Sequence, residues 1–240
     1  MKILTINGSP RGEQGNTEVL IKAFLDGARE VGAETETVYL KDKQIANCRG
    51  CFGCWSTTPG VCVHKDDMPE LLEKVLQSDI AILASPLYIY TVTGLMKTFM
   101  DRLLPMAQPY IEVEDGLCNH PPRYPNAASR SIVLISNSGF PSQEHFSGLK
   151  ETFKCWIRNG NRGLAGMICC AGGALLQVPE LSGYFNWYLD AVRQAGREVV
   201  QNGVIADETQ SALDRPLVGD IKLYAEQVNA FWERMGIPRI

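Results

Sequence analysis

The sequence lacks the features that mark several broad classes of protein. Lysine and arginine number 23 against 27 aspartates and glutamates, for a net charge of −4, whereas a nucleic-acid surface needs clustered basic residues. No run of about 18 apolar residues occurs, and a membrane-spanning helix would need one. We therefore expect neither a nucleic-acid partner nor a membrane partner.

The usual signatures of hydrolases and zinc proteases are also missing. The chain has three histidines, His64, His120 and His145. Neither the H-E-x-x-H motif nor the G-x-S-x-G motif occurs, and no pair of carboxylates stands out. The sequence therefore predicts no catalytic acid, base or nucleophile among its side chains.

The N-terminus and the cysteine content bear on the compartment. The opening residues MKILTING lack the long apolar stretch of a signal peptide. Eight cysteines without a secretion signal are typical of reduced thiols, metal ligands or redox groups rather than of a disulfide framework. We expect a cytoplasmic protein.

What the sequence does contain is a regular alternation of strands and helices. The pattern predicts strands at 2–7, 35–40, 79–84, 132–137 and 164–170, and helices at 16–31, 66–77, 93–104, 143–159, 184–201 and 216–234. Such alternation requires a parallel sheet covered by helices on both faces. Five units predict an α/β, doubly wound, flavodoxin-like sheet of order 2-1-3-4-5, which binds its ligand at the carboxyl ends of the strands.

The domain organisation follows from the absence of repeats and linkers. Residues 1–240 are predicted to form a single domain. To this domain the chain adds a cysteine loop at 48–62, a proline-rich irregular insertion at 105–130 and a C-terminal helical extension. The insertion and the aromatic residues at 184–188 exceed a minimal core of this type, so we expect a homo-oligomer.

The clearest functional motif is the glycine-rich stretch from Gly8 to Thr17. A glycine-rich turn at a helix start directs free backbone N–H groups and the helix dipole at one point, which suits a phosphate. Ser9, Asn16 and Thr17 add polar side chains, and Arg11 adds a positive charge. The stretch lacks the Gly-Lys-Ser/Thr ending of an ATP-binding loop and the glycine spacing of a dinucleotide fold. A bare structural turn with a good helix cap is the alternative.

Three motifs in chain order resemble one family. Gly8-Ser9-Pro10-Arg11 followed by Gly15-Asn16-Thr17 resembles the phosphate loop of the NAD(P)H-dependent FMN reductases, which have a flavodoxin-like fold. The stretch 85–90 (SPLYIY), with the helix at 94–102, resembles the second flavin loop of that family. The stretch 138–146 (SGFPSQEHF) resembles the third. The resemblance covers roughly residues 1–175.

The resemblance implies a function and a set of binding residues. It implies an FMN-dependent oxidoreductase that accepts hydride from NAD(P)H, with the chemistry on the flavin. The electron acceptor would be a quinone, a free flavin, another small molecule or a protein; the alternative is a non-enzymatic electron carrier. The family often completes its flavin site from a second subunit, which also implies a homodimer. The implied FMN-binding residues are Ser9, Arg11, Asn16, Thr17, Pro86, Leu87, Tyr88, Ile89, Ser138 and Gly139.

Four cysteines form a second motif, Cys48-x2-Cys51-x2-Cys54-x7-Cys62. Three cysteines at successive short spacings can wrap the corners of an iron-sulfur cubane, whereas zinc sites usually bring together two separated pairs. The run resembles that of the iron-sulfur flavoproteins, a branch of the same superfamily. This resemblance implies a [4Fe-4S] cluster on these four residues. Zinc, or free or redox-active thiols, are the alternatives.

Overall fold

The fold is seen in a computed structural model, which describes residues 1–124, 131–158 and 163–237. Its strands are β1 (Lys2–Asn7), β2 (Glu34–Tyr39), β3 (Ile80–Pro86), β4 (Glu112–Glu114), β5 (Leu117–Asn119), β6 (Ser131–Asn137) and β7 (Gly163–Cys170). Five of them form a parallel sheet in the order β2-β1-β3-β6-β7. This is the predicted order 2-1-3-4-5, and the predicted flavodoxin-like fold is confirmed.

Helices cover both faces of this sheet. They are α1 (Asn16–Glu30), α2 (Met68–Gln77), α3 (Gly94–Asp101), α4 (Ser147–Arg158), α5 (Asn186–Asn202), α6 (Asp207–Leu213) and α7 (Ile221–Arg234). One hydrophobic core lies between the sheet and α1, α5 and α6, and a second lies between the sheet and α2, α3 and α4. The two cores explain why the central strands are apolar on both faces.

Alternation along each strand divides its side chains between the two cores. Ile3 and Ile82 face α1 and α5, while Leu4 and Leu83 face the opposite helices, as the two-residue period of a strand requires. In the first core, α1 and α5 approach so closely that a Cβ on Gly196 would lie 2.0 Å from the carbonyl oxygen of Phe24. Only glycine allows this contact.

Two segments differ in detail from the sequence expectations. The insertion at 105–130, expected to be irregular, contains the antiparallel hairpin β4–β5, with positive φ at both Asp115 and Gly116 of its turn. Residues 125–130 lie outside the described part. At the C-terminus, one helix was expected over 216–234, but α6 precedes Pro216 and α7 begins after Asp220. Asp220 caps α7 by accepting hydrogen bonds from the N–H groups of Lys222 and Leu223.

None of the helices in the described ranges has both the length and the apolar character needed to cross a bilayer.

Candidate functional site

Three loops meet at the carboxyl edge of the sheet. They follow the neighbouring strands β1, β3 and β6, and backbone hydrogen bonds connect them. The N–H of Gly8 donates to the carbonyl of Ala84 (2.7 Å), and the N–H of Leu87 donates to that of Asn137 (2.8 Å). The three motifs that are far apart in the sequence therefore form one site, where a doubly wound sheet binds its ligand.

The first loop, residues 8–15, folds tightly on itself. The N–H of Gly12 donates to the carbonyl of Ser9, and that of Gly15 donates to the carbonyl of Gly12 (both 3.0 Å). A Cβ on Gly15 would lie 2.7 Å from Ser9 Oγ, so glycine is needed there. Gly15 is the N-cap of α1 and provides no side-chain cap, which leaves the first N–H groups of the helix for a ligand.

The four residues predicted to hold a phosphate are differently placed in this loop. Ser9 is buried, and Asn16 has a buried Oδ1 with no hydrogen-bond partner in the described part of the chain. Arg11 is exposed, and its Nη2 donates to the carbonyl of Gln14 (2.7 Å) and to Oε1 of Gln177 (3.1 Å).

Thr17 takes a connecting position instead of an open one. Its buried hydroxyl donates to Oδ1 of Asn137 at 2.6 Å, so its proton is committed to the third loop. Thr17 therefore ties α1 to the end of β6. A contact between the Thr17 hydroxyl proton and a phosphate would require that bond to break.

A buried polar network lies directly beneath the first loop. Glu18 is 4% exposed, and its Oε1 and Oε2 accept hydrogen bonds from the Tyr39 hydroxyl and from Nδ2 of Asn7 (both 3.0 Å). Oδ1 of Asn7 accepts the N–H of Ser9 (2.8 Å). Burial raises the pKa of Glu18 although both hydrogen bonds oppose the shift. Burial and the Glu18 bond raise the pKa of Tyr39 to about 12.

The sequence motifs did not indicate Asn7, Glu18 or Tyr39 as part of the site. The available signal was a polar residue at a buried position, since Asn7 ends a strand whose last five residues are all buried and Glu18 lies on the buried side of an amphipathic helix.

The second loop is anchored to the first by Thr93. Its hydroxyl donates to the carbonyl of Gly8 (2.7 Å) and accepts the N–H of Met96, which caps α3. Its own N–H donates to Ser85 Oγ (3.0 Å). A Cβ on Gly8 would lie 2.8 Å from Cβ of Met96. The two loops are therefore held at a fixed distance.

The tip of the second loop is a strained turn. Tyr88 and Thr91 exchange two backbone hydrogen bonds around Ile89 and Tyr90, whose φ values are 46° and 60°. Glycine and asparagine favour this left-handed conformation, whereas a β-branched isoleucine rarely adopts it. Ile89 is also 91% exposed. Strain of this kind is concentrated at ligand sites.

The third loop carries a stack of rings. The imidazole of His145 stacks on Phe140, with ring centroids 4.8 Å apart, and on Tyr90 of the second loop at 6.0 Å. Ser138 is buried, and its hydroxyl donates to the carbonyl of Phe140 (2.7 Å). The stack joins the second and third loops into one aromatic surface.

A cleft of about 950 Å³ lies between these two loops and α7. Lysine, arginine, aspartate and glutamate are absent from its described lining. The hydroxyl of Tyr224 on α7 donates to the carbonyl of Gly139 (2.6 Å) and holds the helix against the third loop; burial raises the pKa of Tyr224. The main walls of the cleft are formed by Leu87, Ile89, Tyr90, Ser138, Gly139, Phe140, His145, Tyr224, Val228 and Trp232.

The cleft contains part of the predicted flavin set. Leu87, Ile89, Ser138 and Gly139 line it, whereas Pro86, Tyr88 and the first loop do not. The short helical segment Gly173–Gln177 connects the two areas: Leu175 lines the cleft, and Gln177 contacts Arg11. The contribution of α7 is not apparent from the sequence motifs.

The cysteine loop does not assemble a metal site. Cys48 and Cys51 are exposed, Cys54 is buried and Cys62 is partly buried; all four are free thiols. Burial raises the pKa of Cys54, and the neighbouring Cys62, Cys48 and Cys51 add to the shift. Across the described ranges, no three His, Cys, Asp or Glu residues are placed to hold a metal ion. The structure therefore does not support the [4Fe-4S] site, which stays a prediction.

A buried arginine holds the base of the cysteine loop. Arg102 is 1% exposed, and its Nη1 donates to the carbonyl of Ala46 (2.6 Å) and to Oδ2 of Asp66 (2.7 Å), with Nη2 donating to Oδ1 of Asp66 (3.1 Å). Burial alone would raise the pKa of Asp66, but the hydrogen bonds from Arg102, Ala46 and Met68 outweigh it and lower that pKa to about 2. Arg102 thus joins the two ends of the loop.

The comparisons with known proteins agree with this fold. Residues 1–114 match the family model described as NADPH-dependent FMN reductase. An iron-sulfur flavoprotein of Archaeoglobus fulgidus is 37% identical over 156 residues, 65% of this chain and 64% of that protein. Another, from Methanocaldococcus jannaschii, is 42% identical over 106 residues, 44% of this chain and 53% of that protein. This chain thus spans about half to two thirds of these relatives.

A solved structure resembles the fold more widely. An FMN-dependent NADH-azoreductase from Bacillus anthracis, in complex with FMN, superposes with a TM-score of 0.62 at 16% identity, covering 83% of this chain and 100% of that one. Over residues 1–114 the chain is thus similar to the NADPH-dependent FMN reductases. The predicted resemblance to that family and to its iron-sulfur flavoprotein branch is confirmed.

Proposed function

We propose that this chain is an FMN-dependent oxidoreductase. It takes hydride from NADH or NADPH and passes the electrons to a neutral, planar aromatic acceptor in the cleft beside α7. The observation that carries the choice of acceptor is the absence of lysine, arginine, aspartate and glutamate from the described cleft lining. Bound FMN supplies the redox chemistry, since protein side chains do not carry hydride themselves. The chain itself binds and orients the FMN and the acceptor and shields them from water.

The first loop fits the phosphate end of FMN. The uncapped start of α1 provides backbone donors for an anion, and Arg11 at the rim provides a charge. The buried, unpartnered Oδ1 of Asn16 needs a donor, which a hydroxyl group of the ribityl chain provides. Thr17 holds the third loop in place rather than touching the ligand.

The second and third loops fit a flat ring. Leu87 and Ile89 form an apolar wall, and Ser138 and Gly139 lie opposite on the next strand end. The rings of Tyr90, Phe140 and Trp232 surround the remaining volume, and aromatic walls favour planar, apolar ligands. A charged acceptor would lose its hydration there without gaining a lysine, arginine, aspartate or glutamate as its partner.

Two kinetic experiments test this proposal. In anaerobic stopped-flow mixing, NADH or NADPH should bleach the FMN absorbance; failure of both nucleotides would favour the electron carrier. In turnover, a neutral naphthoquinone should exceed its sulfonated analogue in kcat/KM by about tenfold or more, because burying the unpaired sulfonate costs at least about 1.4 kcal/mol. Equal values, or a preference for the sulfonate, would contradict the neutral acceptor.

A cluster in the cysteine loop is a second proposal. One observation favours it: the matched relatives are named iron-sulfur flavoproteins. Anaerobic reconstitution should give about four irons per chain, and Cys54→Ala should remove them while FMN stays bound. Iron well below that ratio, with the four thiols still titratable, would contradict the cluster and show that the loop carries free thiols.

The predicted homo-oligomer also remains a proposal. Exposed apolar side chains such as Ile89, Tyr184 and Trp232 lie near the cleft or on the C-terminal half, where a second copy could cover them. Light scattering at micromolar concentration should give a mass of two chains or more. A single-chain mass would contradict the proposal.

A further inference from the structure

An acid lies buried beneath a loop that is built to bind an anion. Glu18 is in the first turn of α1, two positions after Asn16. We propose that Glu18 positions the phosphate loop through Asn7 and takes up a proton when a phosphate group binds. The inference rests on the proposed FMN site. It links phosphate binding to the protonation of Glu18, which FMN binding by itself does not require.

The positioning follows from the hydrogen bonds of Asn7. Its Nδ2 donates to Glu18 at 3.0 Å, and its Oδ1 accepts the N–H of Ser9 at 2.8 Å. If the amide rotated by half a turn, Nδ2 would face the Ser9 N–H, and two donors would oppose each other. Glu18 prevents that rotation because Oε2 requires a donor. The carboxyl group thereby holds the backbone of Ser9 in its loop conformation.

The other carboxyl oxygen can change its protonation without disturbing Asn7. Oε1 of Glu18 lies 3.0 Å from the Tyr39 hydroxyl. A hydroxyl can donate to a carboxylate or accept from a carboxylic acid, so this bond survives when Glu18 gains a proton from solvent. The raised pKa of Tyr39 keeps the phenol protonated. The titrating group of the pair is therefore Glu18.

The charges around Glu18 determine whether phosphate binding adds a proton to its carboxyl group or removes one. Lys22 on the same helix lowers the pKa of Glu18, and Glu13 in the loop raises it, both less strongly than burial does. Tyr39 on β2 and Asn7 on β1 are uncharged donors. A phosphate on the first loop would add negative charge about two hydrogen bonds away, and a nearby like charge favours the protonated acid. Binding thus draws one proton from solvent onto the carboxylate.

The test compares FMN affinity in the wild type and in Glu18→Gln as the pH changes. Glutamine keeps an acceptor for Asn7 and a donor for Tyr39 but cannot titrate. The ratio of wild-type to variant Kd should be near one at the lowest pH, where Glu18 is protonated with and without FMN, and should rise about threefold or more towards high pH, where Glu18 is charged in the free protein. The titration of the phosphate itself, near pH 6, affects both proteins and cancels in the ratio.

Glu18→Ala separates positioning from proton uptake. Losing the support of Asn7 should weaken FMN by about threefold or more relative to Glu18→Gln at every pH, because glutamine keeps a neutral acceptor for Asn7 and alanine keeps none. A Kd ratio independent of pH would overturn the proton uptake. Equal affinities of the Ala and Gln variants would overturn the positioning.

Calorimetry on the wild type needs no variant to fold. Titrating FMN in buffers of different ionisation enthalpy counts the protons taken up, and titrating a phosphate monoester such as phenyl phosphate provides a check without the flavin ring. Net uptake at about pH 7.5, where the phosphate is already a dianion, supports the inference, and FMN binding without uptake overturns it. If FMN does not bind at all, it is the proposed FMN site that fails.

Discussion

The first loop, which is the proposed phosphate loop, and the cysteine loop follow neighbouring strands, β1 and β2, yet their functional groups are arranged differently. In the phosphate loop, backbone groups and buried side chains bond to one another: Ser9 to Asn7, Asn7 to Glu18 and Gly8 to Thr93. In the cysteine loop the backbone also bonds to itself, as from the N–H of Gly60 to the carbonyl of Cys54 (2.8 Å), and Arg102 holds the two ends. Its four thiols, however, differ widely in exposure. A loop that binds an anion through its backbone can adopt its binding geometry without the anion. A loop whose side chains bind metal atoms needs those atoms to bring the side chains together.

The largest expected effect concerns the base of the cysteine loop. Arg102→Met should destabilise the fold by about 3–5 kcal/mol, because it leaves the buried carboxylate of Asp66 without its partner. Urea unfolding measures the loss. Arg29→Met is the matched control, since its ion pair with Asp26 is about half exposed and should be worth less than about 1 kcal/mol. Similar losses in both variants would show that Arg102 is not the clamp of the loop.

The ion pair between Arg102 and Asp66 should also make the free energy of unfolding depend on pH in the acid range. The pKa of Asp66 is lowered from 3.8 to about 2 in the folded chain. Its contribution, on the order of 2 kcal/mol, is therefore fully present above about pH 4 and is lost as the pH falls towards 2. Unfolding free energies between about pH 5 and about pH 2 should fall less steeply in Asp66→Asn, although that variant is less stable at neutral pH. Parallel pH curves would contradict the assignment.

The smallest of the three effects concerns the phosphate loop. Arg11→Ala should weaken FMN binding by about tenfold, because a charge-assisted hydrogen bond to the phosphate is lost. The matched control is Arg49→Ala, which removes an exposed arginine of the cysteine loop and should leave the Kd unchanged. Fluorescence titration measures both. An unchanged Kd in Arg11→Ala, or an equal loss in the control, would place the phosphate elsewhere.

The two loops also show how far sequence reasoning reaches. The apolar runs in β1, β3 and β6 and the glycines of the first loop carry their meaning locally, because strand period and turn geometry involve adjacent residues. The fold class, the strand order and the meeting of three loops at one edge could be predicted on that basis. The cysteine spacing is just as local, but spacing does not specify where four side chains point in space.

What the sequence by itself determined is the alternating α/β order, its doubly wound sheet and the glycine-rich start of α1. Only the tertiary structure decided which side chains complete the site. Thr17 meets Asn137 across 120 residues, and Tyr224 reaches Gly139 across 85. Thr17 thereby connects two loops instead of facing outward, and α7 becomes a wall of the cleft. The physical reason is that a hydrogen bond depends on distance and direction between two atoms, and these are set by the packing of whole helices on the sheet.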